Sequence, residues 1–278
     1  MNRRHFVHSL AAGIAGESLW RRIPPVTRLD HIGLELYSVR DAMRRDPERT
    51  LAAVRAMGYT QVELLWSFNN FNRTPQQVRA TLDKEGLRAP SAHMAPEVIL
   101  KDWDKSLDTA RYLGHEYLIV PSLPSDSTKS LDRWRYWADE FNTAGAAARK
   151  AGIWLAFHNE PDHTKPIDGI IPYDVFVAST DPSVVRHQLD VGNMVLGGAD
   201  PMRYLETFRN RYWSFHIKDV VADHSKDTEL GKGTVNFRQL LAAVPDLSHK
   251  PVYIEQEAWA DSMASARVNY QYLSTLDF

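Results

Sequence analysis

At 278 residues the chain exceeds the usual single-domain size but suits an α/β barrel, which reaches about 250 residues as one unit. Hydrophobic residues at 44% and charged residues at 24% fit a soluble globular protein and exclude a disordered or collagen-like chain. A formal net charge of −2 gives no general pull toward a phosphate backbone, and the absence of cysteine excludes disulfides and thiolate metal sites, so any metal must rest on oxygen and imidazole.

The chain opens with Asn2-Arg3-Arg4-His5-Phe6-Val7 and the small, weakly apolar run Ser9–Gly16. This resembles a bacterial twin-arginine export signal, although Glu17 and Arg21-Arg22 follow closely and no clean A-x-A cleavage site is present. The resemblance implies a periplasmic or otherwise exported protein; without export it would be cytoplasmic. No apolar run reaches the roughly 20 residues of a membrane span. Pro24-Pro25 break any helix, so residues 1–28 form a signal-like segment and the folded domain covers 29–278.

From there β-like runs begin at Ile32, Gln61, Ala89, Glu116, Ile153, Val185, Tyr212 and Pro251, about 30 residues apart, the size of one βα unit. Helices are expected between them. Asp46-Pro47, Thr74-Pro75 and Asp200-Pro201 each set a capping side chain before a proline at the first helical position, and Gln77 completes a capping box with Thr74. Gly58, Gly86, Gly114 and Gly152 mark helix ends shortly before strands. The longest helix, Leu131–Lys150, lines up Trp134, Trp137, Ala138, Phe141, Gly145 and Ala148 on one stripe for packing against a sheet. Eight such units with no break in composition predict a single-domain (β/α)₈ TIM barrel. No G-x-G-x-x-G or P-loop follows any strand, so the usual dinucleotide and nucleotide cradles are absent.

In a barrel the chemistry gathers at the C-terminal ends of the strands. Four late segments end on polar groups: IWLAFHNE (Ile153–Glu160), VRHQLDVGN (Val185–Asn193), YWSFHIKD (Tyr212–Asp219) and PVYIEQE (Pro251–Glu257). If these are neighbouring parallel strands, Glu160, Asp190, His216 and Glu255 converge, and three crowded carboxylates need a cation to offset their repulsion. Earlier strand ends add Glu35 and Tyr37, Glu63 and Trp66, and His93.

These pieces, with LELYSVRD (Leu34–Asp41) and ELGKGTVNF (Glu229–Phe237), resemble the xylose-isomerase-like TIM barrels. That family includes sugar phosphate isomerases/epimerases, inosose dehydratases, hydroxypyruvate isomerases and ketose 3-epimerases. The resemblance implies one divalent metal, Mn²⁺ before Mg²⁺, Co²⁺ or Zn²⁺, held by a strand-five residue with Asp190, His216 and Glu255. At strand five either His158 or Glu160 fits; alternation puts both on one face, and charge favours Glu160.

The resemblance further implies a ketose-type substrate and an enediolate, with Glu160 and Glu255 exchanging a proton on opposite faces. Return to another face is epimerisation, return to another carbon is isomerisation, and loss of a β-substituent is a lyase reaction. His93, Lys218 and His158 are candidate donors to the developing oxyanion; Lys218 equally fits a structural ion pair. Glu63, His93, Trp66 and Trp259 are candidate substrate contacts, the two tryptophans, like Phe68, as flat stacking faces. A non-catalytic sugar-binding barrel and an endonuclease-IV-like phosphodiesterase are the rival functions. The expected partner is a small sugar, with no nucleic acid and no membrane span; a homo-oligomer is compatible with the sequence.

Overall fold

The computed structural model describes residues 27–278. Its strands are β1 (Gly33–Glu35), β2 (Gln61–Leu65), β3 (Arg88–His93), β4 (Tyr117–Val120), β5 (Trp154–His158), β6 (Val185–Asp190), β7 (Tyr212–Ile217), β8 (Asp219–Val220), β9 (Asp227–Thr228) and β10 (Val252–Ile254). All but β8 and β9 pair in parallel around a closed barrel, in the ring order β1-β10-β7-β6-β5-β4-β3-β2. Each barrel strand begins within one residue of its expected start. The (β/α)₈ architecture expected from the 30-residue period is present.

The helix starts follow the capping chemistry. Asp46 accepts the Arg49 N–H, Thr74 and Gln77 form the reciprocal box, and Asp200 accepts the Met202 N–H, each beside a proline that needs no donor of its own. Gly58, Gly86, Gly114 and Gly152 all take positive φ, between 65° and 114°, where a Cβ would be strained. The helix Leu131–Lys150 buries its whole predicted stripe. Close packing explains Gly145 there, since a Cβ would meet the Val184 carbonyl at 2.7 Å.

β8 and β9 form a small antiparallel hairpin outside the barrel, immediately after β7. Asp219 organises it: its carboxylate accepts backbone N–H groups from Val220, Gly231, Gly233 and Val235. Asp227 in turn accepts the N–H groups of Glu257 and Ala258, tying the hairpin to the segment after β10.

The export-signal reading of residues 1–28 lies outside the described residues except for Thr27 and Arg28. Thr27 exchanges two backbone hydrogen bonds with Phe278, and Arg28 pairs with Asp277 at 2.5 Å, so the two ends of the described chain meet. Among the described residues no helix is long and apolar enough to cross a membrane.

Candidate active and metal site

Side chains two residues apart on β7 share a face, and the inward face carries Ser214, His216 and Lys218 from deep in the barrel toward its mouth. Strand pairing then sets Asp190 of β6 beside His216, while His158 of β5 lies opposite Gln188, one inward position below Asp190. Glu255 follows β10, where its N–H donates to the Ile217 carbonyl. His158, Asp190, His216 and Glu255 are buried and offer ligand atoms all within 4.8 Å of one another. His216 Nδ1 is 2.7 Å from Glu255 Oε2 and 3.9 Å from Asp190 Oδ2; His158 Nε2 is 3.6 Å from Asp190 Oδ2.

Both ring nitrogens of the buried His158 lack a hydrogen-bond partner, and Asp190 Oδ2, 3.1 Å from the Lys218 ammonium, accepts no aligned hydrogen bond. Unsatisfied buried groups are costly, and here His158 Nε2 faces Asp190 Oδ2 at 3.6 Å. Two imidazoles and two carboxylates with open lone pairs are a donor set a divalent cation fits.

Glu160, preferred at strand five for its charge, falls outside this group and His158 takes its place. The reason is local. β5 ends at His158, and Glu160 begins the 3₁₀ turn Pro161–Thr164, with its N–H donating to His163 Nδ1. Its carboxylate accepts from Asn193 and keeps a third of the side-chain surface open.

Above the cluster lies a cavity of about 200 Å³ walled by Glu35, Tyr37, Leu65, Ser67, Phe68, His93, Pro121, His158, Glu160, Glu255 and Glu257. The expected substrate contact His93 is there, 3.1 Å from Glu35 and 2.8 Å from Gln188 Oε1. Trp66 is not: β2 stops at Leu65, and the chain turns through Trp66–Phe68 into residues 69–72, all at positive φ. That twist brings Phe68 to the mouth and leaves Trp66 against the His115 ring, 5.6 Å away. Trp259 stands behind the rim, over the Arg40 guanidinium that also covers Tyr37. Glu63, another expected substrate contact, is completely buried beneath the cavity and bonded to His216.

Lys218 is also fully buried. Its Nζ lies 2.7 Å from Glu257, 3.0 Å from Asn193 Oδ1, 3.1 Å from Asp190 and 3.2 Å from Glu255. The ammonium is therefore taken up by its neighbours, the ion-pair alternative of the sequence reading. Gly192 is required beneath it, because a Cβ would meet the lysine stem at 2.5 Å.

Charges follow from this packing. Burial opposes ionisation of Asp190, yet Lys218, His158 and His216 hold its carboxyl well below the usual range. Burial and the neighbouring Glu35 push Glu255 well up, against Lys218 and His216. Burial disfavours charge on His216, but Glu63, Glu35 and Glu255 hold its pKa well above the ordinary imidazole value. His158 is pushed down to about 4 by burial, so it is neutral at physiological pH and ready to act as a ligand. Burial pushes the Glu160 carboxyl up to about 8, with Lys218 opposing; its open third moderates that push.

The sequence reading passed over Gln188, Ser91, Asn159 and Tyr253. Gln188 donates to Glu63 and Ser214, and Asn159 exchanges hydrogen bonds with the Asp190 backbone. Their signal was period-2 polarity: Gln188 and Ser91 lie two residues before Asp190 and His93 on the same inward faces.

The chain belongs to the xylose isomerase-like TIM barrel family, whose model matches residues 51–271. An inosose dehydratase from Lacticaseibacillus casei is 23% identical over 193 residues, 62% of this chain and 63% of that protein, so less than two thirds of the relative is spanned. Among solved structures, a sugar phosphate isomerase/epimerase from Parabacteroides distasonis ATCC 8503 has a TM-score of 0.76 at 24% identity, covering 90% of this chain and 97% of that one. The IOLI protein, solved with a zinc atom, has a TM-score of 0.68 at 11% identity, covering 87% and 95%. At such identities the structural likeness shows the fold.

Proposed function

We propose that this protein is a divalent-metal-dependent sugar-modifying enzyme acting next to the carbonyl of a ketose-type substrate, as an isomerase, epimerase or lyase. The observation that carries the reading is the convergence of His158, Asp190, His216 and Glu255, with unpartnered buried atoms, directly beneath an open polar cavity. The family membership and the inosose dehydratase relative support it. Those four residues would hold the cation. Two imidazoles with two carboxylates suit Mn²⁺, Co²⁺ or Zn²⁺ better than Mg²⁺, and we propose Mn²⁺. A bound cation would supply Lewis-acid polarisation of the substrate carbonyl and its neighbouring hydroxyl.

The chain's own groups then divide the remaining work. Glu160 stands in the cavity wall with a carboxyl pushed up to about 8, so it can both hold and release a proton near neutral pH. Glu255, which also lines the cavity, is the second carboxyl able to take or return a proton, at the face of the substrate away from Glu160. His93 and the rings of Tyr37 and Phe68 orient the sugar from the remaining wall. Lys218 keeps Asp190 ionised and, paired with both Asp190 and Glu257, fixes their positions.

Incubating the Mn²⁺-loaded protein in D₂O with free ketoses, inososes and 3-keto-glycosides tests the reading. We expect deuterium at the carbon beside the carbonyl for one class, and a loss of turnover of roughly 10²- to 10⁴-fold in Glu160→Gln. No exchange and no product with any class, or full turnover in that variant, contradicts it. Export through Arg3-Arg4, with residues 1–28 as the signal and 29–278 as the domain, is a further part of the reading. A reporter fused to residues 1–30 should leave the cytoplasm, and should stay inside once both arginines become lysine.

A further inference from the structure

We infer that Glu63 is a positioning residue that fixes the tautomer and orientation of His216, so that Nδ1 is the nitrogen presented to the cation. The inference rests on the metal-dependent reading and assigns Glu63 a role other than touching substrate.

Glu63 projects from β2 into the barrel, three strands round the ring from β7, and none of its surface is exposed. It does not line the cavity. Its Oε2 lies 2.5 Å from His216 Nε2, and its Oε1 receives the Ser91 hydroxyl at 2.6 Å and the Gln188 amide at 3.0 Å. Ser91 also lies 2.7 Å from the Tyr253 hydroxyl. A serine has one hydroxyl proton, so Tyr253 donates to Ser91 and Ser91 donates to Glu63. Ser91 and Gln188 thus both donate to Oε1, while Oε2 faces His216 Nε2 and, at 3.2 Å, His93 Nε2, which is the environment of an ionised, acceptor-only carboxylate.

Both His216 nitrogens face a carboxylate, Nε2 facing Glu63 at 2.5 Å and Nδ1 facing Glu255 at 2.7 Å. A cation on the Nδ1 side would displace any proton there, and Glu63 then holds the remaining one on Nε2. In the neutral ring the lone pair is then left on Nδ1, the nitrogen that faces Glu255 and Asp190. A ligand histidine whose other N–H is held by a carboxylate is locked in orientation and made more basic, and loss of such a partner typically weakens metal affinity roughly 10- to 100-fold. Glu63 reaches the site from β2, which bears none of the four proposed ligands. The same carboxylate also belongs to a second grouping with Glu35, His93 and His216, where it would itself be a ligand. The two roles differ in stoichiometry.

The test is a Co²⁺ titration of metal-free protein in competition with a chromophoric chelator, paired with ¹⁵N spectra of the histidine rings. Wild type should bind about one Co²⁺ per chain, with His216 showing an Nε2–H tautomer. Glu63→Gln should still bind one Co²⁺ roughly 10- to 100-fold more weakly, and His216 should shift to a mixture of tautomers. If that variant does not fold, Ser91→Ala, which keeps Glu63 and removes one support, should show a smaller change in the same two readouts. Unchanged affinity and tautomer in the folded variant overturns the inference, as does a wild-type stoichiometry of two that falls to one. If wild type binds no Co²⁺, the metal-dependent reading fails, while in metal-free protein a His216 Nε2–H signal lost to solvent exchange in Glu63→Gln still supports the role of Glu63, and an unchanged signal overturns it.

Discussion

His158, the last residue of β5, and Glu160, two residues on at the start of the following turn, stand in environments that suit the two roles proposed for them. His158 is neutral, buried and without a hydrogen-bond partner at either nitrogen, the condition of a ligand. Glu160 is partly open, bonded to Asn193 and raised in pKa, the condition of a proton carrier. We therefore expect His158→Ala to lose cation affinity by roughly 10-fold or more. Glu160→Gln should retain the cation and lose turnover. Metal content after dialysis, measured beside turnover, checks both, and retention in His158→Ala with loss in Glu160→Gln would reverse the assignment. Asp190, His216 and Glu255 were legible as convergent strand-end groups, because polar residues closing apolar runs are conspicuous. The choice at strand five was not, since alternation puts His158 and Glu160 on one face and charge alone ranks the carboxylate first. His158 rather than Glu160 stands in the buried group because β5 ends there, before the Glu160–His163 turn.

At the scale of elements, β7 and the loop after it show how one motif serves two purposes. In Ser214–Asp219, His216 and Lys218 belong to the site, whereas Asp219 collects four backbone N–H groups from the loop that covers it. Asp219→Ala would leave those donors unpaired and should cost about 2–4 kcal/mol of stability, readable as a lower urea midpoint. An unchanged midpoint would show that water replaces the carboxylate. Sequence patterning placed the strand and the motif correctly, because period-2 alternation survives to its end. Trp66, expected at the mouth, lies outside the cavity that Phe68 lines, because β2 ends at Leu65 and the chain turns at once through Trp66–Phe68. Residues 69–72 continue that turn in left-handed conformation, which the three asparagines among them tolerate.

For the whole molecule, barrel closure turns eight separate signals into one site, since the ligands come from β5, β6, β7 and the segment after β10, which no local pattern brings together. The 30-residue period and the capping residues made the barrel legible; the depth of Glu63 and the network around it depend on register across the closed sheet and were not. Burial elsewhere sets the acid limit of the fold. His115, bonded to the Ala89 carbonyl, is pushed down to about 4 by burial, against about 6.5 in an unfolded chain. Below pH 6.5 the unfolded chain takes up a proton that the folded one refuses, so this contribution is complete above 6.5 and is lost as pH falls toward 4. His115→Gln should remove about 2 kcal/mol of the stability change between pH 7 and pH 5, measured by urea denaturation. An identical slope in the variant would place the acid sensitivity in other groups. The central claim, a cation held by His158, Asp190, His216 and Glu255, is tested most directly by anomalous X-ray scattering from crystals grown with Mn²⁺. The account predicts one strong peak within roughly 2.0–2.6 Å of donor atoms from those four side chains; no peak, or a peak among Glu35, Glu63 and His93 or on Glu160 instead, would contradict it.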